Sequence, residues 1–277
     1  MRYKDLATWC KWLEKNFSPE IMIPTLPVII RLDANNFSSW TKGLKKPFDS
    51  NLSQLMTETA IHLLDETNAL VAYTQSDEIT LILYSDDKET GIYNDGKKQK
   101  ILSKLTAECV NFFNEKRKEL LPNHNKIAKF DCRIYQAPTL HDATLQLLWR
   151  ENDATKNSIF MLANSFFSHK SLQGLNGDDM QDKMMLEKNV NWNNLDVHFK
   201  RGTYVRRFKT TKAFTTEELD SLPEKHNARN NPNLIIERNV VSKVDVPPFK
   251  NVVNKVDFVF YGEPPLTKFE NIQFRDI

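Results

Sequence analysis

Val28-Ile29-Ile30-Arg31-Leu32-Asp33 is a short, β-branched run that ends on a carboxylate, and it reads as a buried strand, strand one. Behind it, Ser50 to Thr67 places apolar residues at Leu52, Leu55, Met56, Ala60, Ile61, Leu63 and Leu64, the three-to-four spacing of a helix with Asp49 as its N-cap. Leu70 to Thr74 and Ile79 to Tyr84 are two β-rich runs, and Gln75-Ser76-Asp77-Glu78 between them reads as a tight hairpin. Lys98 to Arg117 returns to helical spacing through Ile101, Leu102, Leu105, Val110 and Phe113, and Phe130 to Tyr135 is again a strand. The order β-α-β-β-α-β is the ferredoxin-like arrangement, so the expected fold class is α+β on that core.

Working outward, an amphipathic helix is expected from Tyr3 to Asn16, closed by the Pro24 and Pro27 breaks, and a Gly-, Asn- and Asp-rich excursion surrounds Gly91 to Gly96. Thr139 to about Lys170 has a helical pattern. Six of the twelve prolines lie at or after Pro223, with β-like runs at Leu234 to Ile236 and Val256 to Tyr261 between them. The expected organisation is a catalytic-type core over 1–138, a helical and basic segment packed on it over 139–210, and an irregular, partly β extension over 211–277.

The 277 residues are 40% hydrophobic and 27% charged, the profile of a folded chain and not of a disordered or collagenous one. No run approaches the roughly 20 apolar residues that cross a bilayer, and Met1 to Phe17 lacks an uninterrupted signal-peptide core, so a cytoplasmic location without membrane partners is expected. Cys10, Cys109 and Cys132 have no C-x-x-C spacing, which argues for reduced, mostly buried thiols and not for a disulfide framework or zinc site. The six histidines form no H-E-x-x-H, which argues against a zinc hydrolase. With 38 basic against 36 acidic residues, an anion site has to come from local clustering. Only 7 glycines are present, and they form neither a dinucleotide-binding nor a P-loop signature. A nucleotide here must therefore be held by metal ions and side chains.

The topology makes one prediction that matters for function. Strands one and three are antiparallel neighbours, so the end of one meets the start of the other at a shared sheet edge. Asp33 ends strand one and Asp77-Glu78 opens strand three, which brings these carboxylates to backbone positions about 5 Å apart. Like charges that close repel, and a divalent cation between them removes the repulsion. Hard oxygen ligands favour Mg²⁺, and two ions about 4 Å apart can serve an attacking hydroxyl and a leaving pyrophosphate. Lys42, Lys45 and Lys46 follow closely enough to meet phosphate oxygens. Taken singly, Asp33 reads better as a helix-capping or turn carboxylate and Ser76 to Glu78 as a polar hairpin turn; their convergence on one edge carries the functional reading.

At these residues the sequence resembles a family. Arg31-Leu32-Asp33-Ala34-Asn35-Asn36-Phe37, Lys46-Pro47-Phe48-Asp49 and Tyr73-Thr74-Gln75-Ser76-Asp77-Glu78 resemble the R-L-D-G-R-N-F, K-P-x-D and Y-x-Q-S-D-E motifs of the tRNA-His guanylyltransferases, which add nucleotides in the 3′-to-5′ direction. The likeness continues in order through Phe130-Asp131-Cys132-Arg133, Trp149-Arg150, Asp153 to Ile159, Asp182-Lys183 and Lys200-Arg201-Gly202-Thr203. The resemblance implies a polymerase-like palm, a homotetramer, ATP and GTP as substrates, tRNA as partner and two Mg²⁺ ions. It implies Asp33 and Asp77 as metal ligands together with the Ala34 carbonyl, and Glu78 as a support to catalysis. It places Asn35, Asn36, Phe37, Ser38 and Ser76 against the nucleotide, and Lys46 and Asp49 at its triphosphate or at the RNA end. The family activates a 5′-monophosphorylated tRNA with ATP, or uses a 5′-triphosphate, before the 3′-hydroxyl of the incoming nucleotide attacks.

Three departures narrow the branch. The family's usual glycine is Ala34 and its usual arginine Asn35, and the eukaryotic H-I-N-N-L-Y-N block appears as Thr155 to Met161 without its histidine. This looks more like the guanylyltransferase-like branch that repairs 5′-truncated tRNAs on a template than like untemplated G addition. The dense basic run Lys200, Arg201, Arg206, Arg207 and Lys209, with Lys183, is the candidate RNA contact; a solvated strand face or an oligomer interface accounts for the run as well. Asp131 and Arg133 read as a pair supporting the acidic edge or the sheet, and Trp149-Arg150 as helix packing with a snorkelling arginine. A palm-type nucleotide cyclase and a catalytically inactive RNA-binding palm remain the rival readings.

Overall fold

The computed structural model of the protein describes residues 20–268 apart from 24, 88–90, 232 and 233. The helix expected over Tyr3 to Asn16, and Cys10 with it, lie outside the described residues. The core elements fall where hydrophobic periodicity puts them: β1 (Val28–Ala34), α1 (Ser50–Thr67), β2 (Val71–Gln75), β3 (Glu78–Leu83), α2 (Lys98–Leu120) and β4 (Phe130–Gln136). Helix α1 starts because the Asp49 carboxylate accepts the Leu52 N–H, and it stops where Asn68 turns left-handed at φ 54°.

The sheet is six-stranded, in the order β4-β1-β3-β2-β5-β6, with every pair antiparallel. Strands β5 (Thr203–Ala213) and β6 (Ile235–Val244) extend the four-stranded core by pairing outside β2. Alternation along β1 sends Val28, Ile30, Leu32 and Ala34 into a core shared with α1 and α2, where Leu55, Leu63, Leu105 and Phe113 are fully buried. Ile29 faces the other way, into a second core with Tyr73, Ile82, Leu147, Phe249 and Phe258. Each such fully buried aliphatic or aromatic side chain contributes about 1.5–3 kcal/mol, so both faces of the central strands are stabilised independently. The second face is covered by α3 (Leu140–Phe166), on which α4 (Gly177–Lys188) packs through Ile159, Leu162, Met180 and Met184. Cys109 is buried, Cys132 half-buried, and both thiols are free.

Three expectations change. The helical segment expected to about 210 ends at Arg201, and Thr203 onward is β5, whose Tyr-Val-Arg-Arg-Phe-Lys-Thr alternation has the period of a strand. The run expected at Leu234 to Ile236 extends further, as β6 from Ile235 to Val244, with Leu234 just before it. Val256 to Tyr261, read as β, is helical instead: Asp257–Tyr261 forms a π-type turn that buries Phe258, Val259 and Phe260 together. Three buried residues in succession carry no period with which to tell the two apart.

Candidate active site

The β2–β3 hairpin closes over a two-residue turn, with Gln75 paired to Glu78 and Ser76 in the left-handed region at φ 50°. Across the sheet Asp33 pairs with Glu78, and the Ala34 N–H donates to the Asp77 carbonyl at 3.0 Å. The Asn35 N–H donates to the Lys129 carbonyl at 2.7 Å on the other side. The end of β1 is thus fastened to both neighbours, and Asp33 and Asp77 meet at one edge, as the topology requires. Asp33 is in register with Asp131 on β4 as well, so three carboxyl-bearing residues, Glu78, Asp33 and Asp131, cross the sheet in line.

A cleft of about 920 Å³ opens above this edge. Asp33, Asp77 and Glu78 line one side, Lys45, Lys46 and Asp49 a second, and α3 supplies Asn157, Ser158, Met161 and Asn164. Phe48 and Phe199, stacked with centroids 4.8 Å apart, form an aromatic wall. Phe37, Ser38 and Ser76 also line the cleft, whereas Ala34, Asn35 and Asn36 do not. Asn36 sits left-handed at φ 54° as the N-cap of the helical turn Phe37–Trp40. Asp49 has both oxygens engaged by backbone, accepting from Lys45 N–H at 3.1 Å and Leu52 N–H at 3.0 Å, while Lys45 and Lys46 are exposed.

Burial raises the Asp77 carboxyl above its ordinary value, and the charge of Asp33 raises it further. Burial also raises Glu78, against the opposing pull of Arg150. Arg150 is the residue that periodicity understated. Its Nε donates to Glu78 Oε1 at 2.7 Å and its Nη2 lies 2.6 Å from Oε2, with Asp153 at 3.3 Å from Nη1. Arginine does not snorkel here; it ties α3 to the hairpin in a bidentate pair. The signal that could have found it was an arginine on the apolar side of a helix covering an acidic edge.

Among the described residues no group of three or more His, Cys, Asp and Glu is gathered to hold an ion. Asp33 and Asp77 offer two carboxylates, and their mutual repulsion is what a divalent cation would remove. A cation completing its shell with phosphate and water fits this donor set, which is the habit of Mg²⁺ rather than of Ca²⁺.

The basic candidates are engaged inside the molecule. Arg206 is 3% exposed, donates to the Glu263 carbonyl at 2.9 Å and lies over Phe258; Arg207 pairs with Asp65 at 3.2 Å. Alternation along β5 turns Arg206 inward beside Tyr204, which the charge pattern alone did not show. Arg201 lies 3.8 Å from the buried Glu151, Lys200 donates to the Asn193 carbonyl at 2.6 Å, and Lys183 pairs with Glu187 at 2.5 Å.

A βαββαβ core with carboxylates on adjacent strand ends defines a polymerase-palm-like protein. Residues 10–138 match the family described as tRNAHis guanylyltransferase. A bacterial tRNA(His) guanylyltransferase-like protein, solved in complex with ATP, is 39% identical with a TM-score of 0.68, over 73% of this chain and 88% of that one. A second bacterial structure of that description, in complex with GTP, is 29% identical with a TM-score of 0.67, over 89% of this chain and 94% of its own. The tRNA(His) guanylyltransferase of Saccharomyces cerevisiae is 27% identical over 213 residues, 68% of this chain and 85% of that protein. The chain belongs to the tRNA(His) guanylyltransferase family. No described helix is long and apolar enough to cross a membrane.

Proposed function

We propose that this chain is a Mg²⁺-dependent nucleotidyltransferase that adds nucleotides in the 3′-to-5′ direction to the 5′ end of a tRNA, templated by the opposing strand, with ATP and GTP as substrates and a homotetramer as the working form. The observation that carries it is the juxtaposition of Asp33 and Asp77 at the edge of a 920 Å³ cleft, with the Asp77 carboxyl raised by burial and by Asp33. The relatives solved with ATP and with GTP support the choice of nucleotides.

In this reading Asp33 and Asp77 hold Mg²⁺, which when bound neutralises charge on the reacting phosphates and lowers the pKa of a bound hydroxyl. Lys45 and Lys46 meet the triphosphate from the opposite wall. The stacked Phe48 and Phe199 offer an apolar surface to a base, and the cleft side of α3 offers the amides of Asn157 and Asn164. The incoming 3′-hydroxyl gives up its proton to solvent and its oxygen forms a bond to the 5′ phosphorus while the bond to AMP or pyrophosphate breaks, and the expelled group carries away the negative charge. Glu78 has both oxygens committed to Arg150, so its part is to fix the turn that presents Asp77.

The test is incubation with Mg²⁺, all four nucleoside triphosphates and either a 5′-truncated tRNA or intact tRNA-His. Templated growth of the truncated RNA is the expected product. Triphosphate consumed without RNA into a cyclic product contradicts the proposal and selects the cyclase reading.

A further inference from the structure

The helical turn Phe37–Trp40 leads from the acidic edge into one wall of the nucleotide cleft, which Ser38, Thr41, Lys45 and Lys46 line. So short a helix leaves most of its backbone groups without partners inside it, its last carbonyls above all. A cation at the C-terminal end would satisfy them, yet the turn carries no basic residue there, and Asn36 gives no side-chain cap at the other end. What orders this wall has to come from elsewhere in the chain.

It comes from the loop between α2 and β4. The Lys126 Nζ donates to the carbonyls of Ser39 at 2.6 Å, Trp40 at 3.2 Å and Lys42 at 3.4 Å, one acceptor for each proton of an ammonium. The Trp40 Nε1–H returns a bond to the Lys126 carbonyl at 3.0 Å, and the Trp40 ring is stacked on Phe37 and edge-on to Phe113 and His124. The loop is itself anchored on α2. Asn114 Nδ2 donates to the Ala128 carbonyl and Asn114 Oδ1 accepts the Ala128 N–H, both at 2.9 Å, while Arg117 donates to the His124 carbonyl. No residue of this loop, Lys126 included, lines the cleft.

The acidic edge has a different support. Asp33 is fixed by ladder pairing to Glu78 on one side and Asp131 on the other, whereas residues 38–46 belong to no strand. The sheet thus places the carboxylates, and the ammonium of a residue more than 80 positions away places the wall that faces them.

We propose that Lys126 is a positioning residue for the nucleotide: without touching it, the ammonium fixes the 38–46 wall against the acidic edge, so that the cleft is formed before a nucleotide enters. The inference rests on the reading of the cleft as a nucleotide site. An ordered wall spares binding the entropy of ordering it, so the contact acts on affinity and leaves the chemical step to the sheet.

The test uses the full chain with Mg²⁺, GTP affinity being read by titration calorimetry and RNA extension by steady-state kinetics. Lys126→Met should weaken GTP binding and raise the GTP KM by roughly tenfold, with kcat within about twofold of the wild type. Lys126→Arg, which brings donors of its own, should recover most of the loss. Trp40→Phe keeps an aromatic ring and removes only the returning bond, and should shift KM in the same direction by less. Wild-type GTP affinity and KM in Lys126→Met overturn the proposal, and a lowered thermal midpoint beside them makes Lys126 a residue of the fold alone. A loss confined to kcat overturns it as well. A wild type that binds GTP and extends no RNA overturns the proposed function, while the calorimetric comparison still decides for or against Lys126. A wild type that binds no GTP overturns both.

Discussion

Arg150 holds Glu78 in two parallel contacts, Nε to Oε1 at 2.7 Å and Nη2 to Oε2 at 2.6 Å, with side-chain exposures of only 11% and 4%. The pair joins α3 to the hairpin that carries Asp77 beside Glu78, so the long helix is tied to the acidic edge. Removing one partner leaves a charge buried without compensation, which costs about 3–5 kcal/mol. Arg150→Ala should therefore lower the unfolding free energy by about 3 kcal/mol in urea titration. The double variant Glu78→Leu/Arg150→Met should lose less than the two single losses together. An Arg150→Ala protein as stable as the wild type would contradict the ion pair's role.

The Asp77 carboxyl is raised by burial first and by Asp33 second, so in the folded protein its ionised form is the unfavourable one. Below the ordinary value of 3.8 the group is protonated in both states and contributes nothing. As pH rises through that value toward the higher folded one, the unfolded chain loses its proton first and stability falls. Without divalent ions, Asp77→Asn should thus melt above the wild type by a margin that grows as pH rises above 3.8 and levels off once the folded carboxyl has ionised. Thermal scans with and without Mg²⁺ check this, because the ion should raise the wild-type midpoint and leave that of Asp77→Asn nearly unchanged.

His198 titrates the other way. Burial lowers its pKa from 6.5 to about 4, and Nδ1 is hydrogen-bonded to Thr203 Oγ1 at 2.6 Å. The folded state refuses a proton that the unfolded chain accepts, so the stability of the neutral ring is present above 6.5 and is lost as pH falls from there to about 4. His198→Asn should flatten that acid limb in denaturant titrations taken across the window. An unaltered limb would show that His198 is not its source.

Gly202 links the helical turn Val197–Arg201 to β5 with φ 77°, and a β-carbon there would lie 2.6 Å from the Thr74 carbonyl oxygen and 2.7 Å from the Tyr73 hydroxyl. That hydroxyl donates to the Arg201 carbonyl at 2.8 Å. Gly202→Ala combines backbone strain with a clash against a central strand, and should cost about 2 kcal/mol or more. Circular dichroism melts of the variant measure it, and an unchanged midpoint would be the contrary result.

The strands and helices of the core were legible because both faces of the sheet are buried and the periods are long enough to read. Asp33, Asp77 and Glu78 followed from topology alone, since an antiparallel β1–β3 pair has to bring those positions together. What the sequence concealed were orientations. Arg206 and Arg207 look alike in a basic run, yet alternation buries one against Phe258 and sends the other to Asp65. Arg150 looks like a surface arginine until its helix is laid over the hairpin, because which face of α3 meets the sheet is decided by packing between segments distant in sequence. Val256 to Tyr261 reads as β because its three consecutive buried residues, Phe258 to Phe260, show neither a helical nor a strand period.

The central claim is that Asp33 and Asp77 form one metal-holding pair serving transfer of a nucleotide to an RNA 5′ end. The most direct measurement is the single-turnover rate of extension of a 5′-truncated tRNA by the wild type and by Asp77→Asn at saturating Mg²⁺ and nucleotide. The account predicts growth at the 5′ end by the wild type, and loss of at least about a thousandfold in rate in a variant that is folded and still binds the RNA. Equal rates in the two proteins would contradict it.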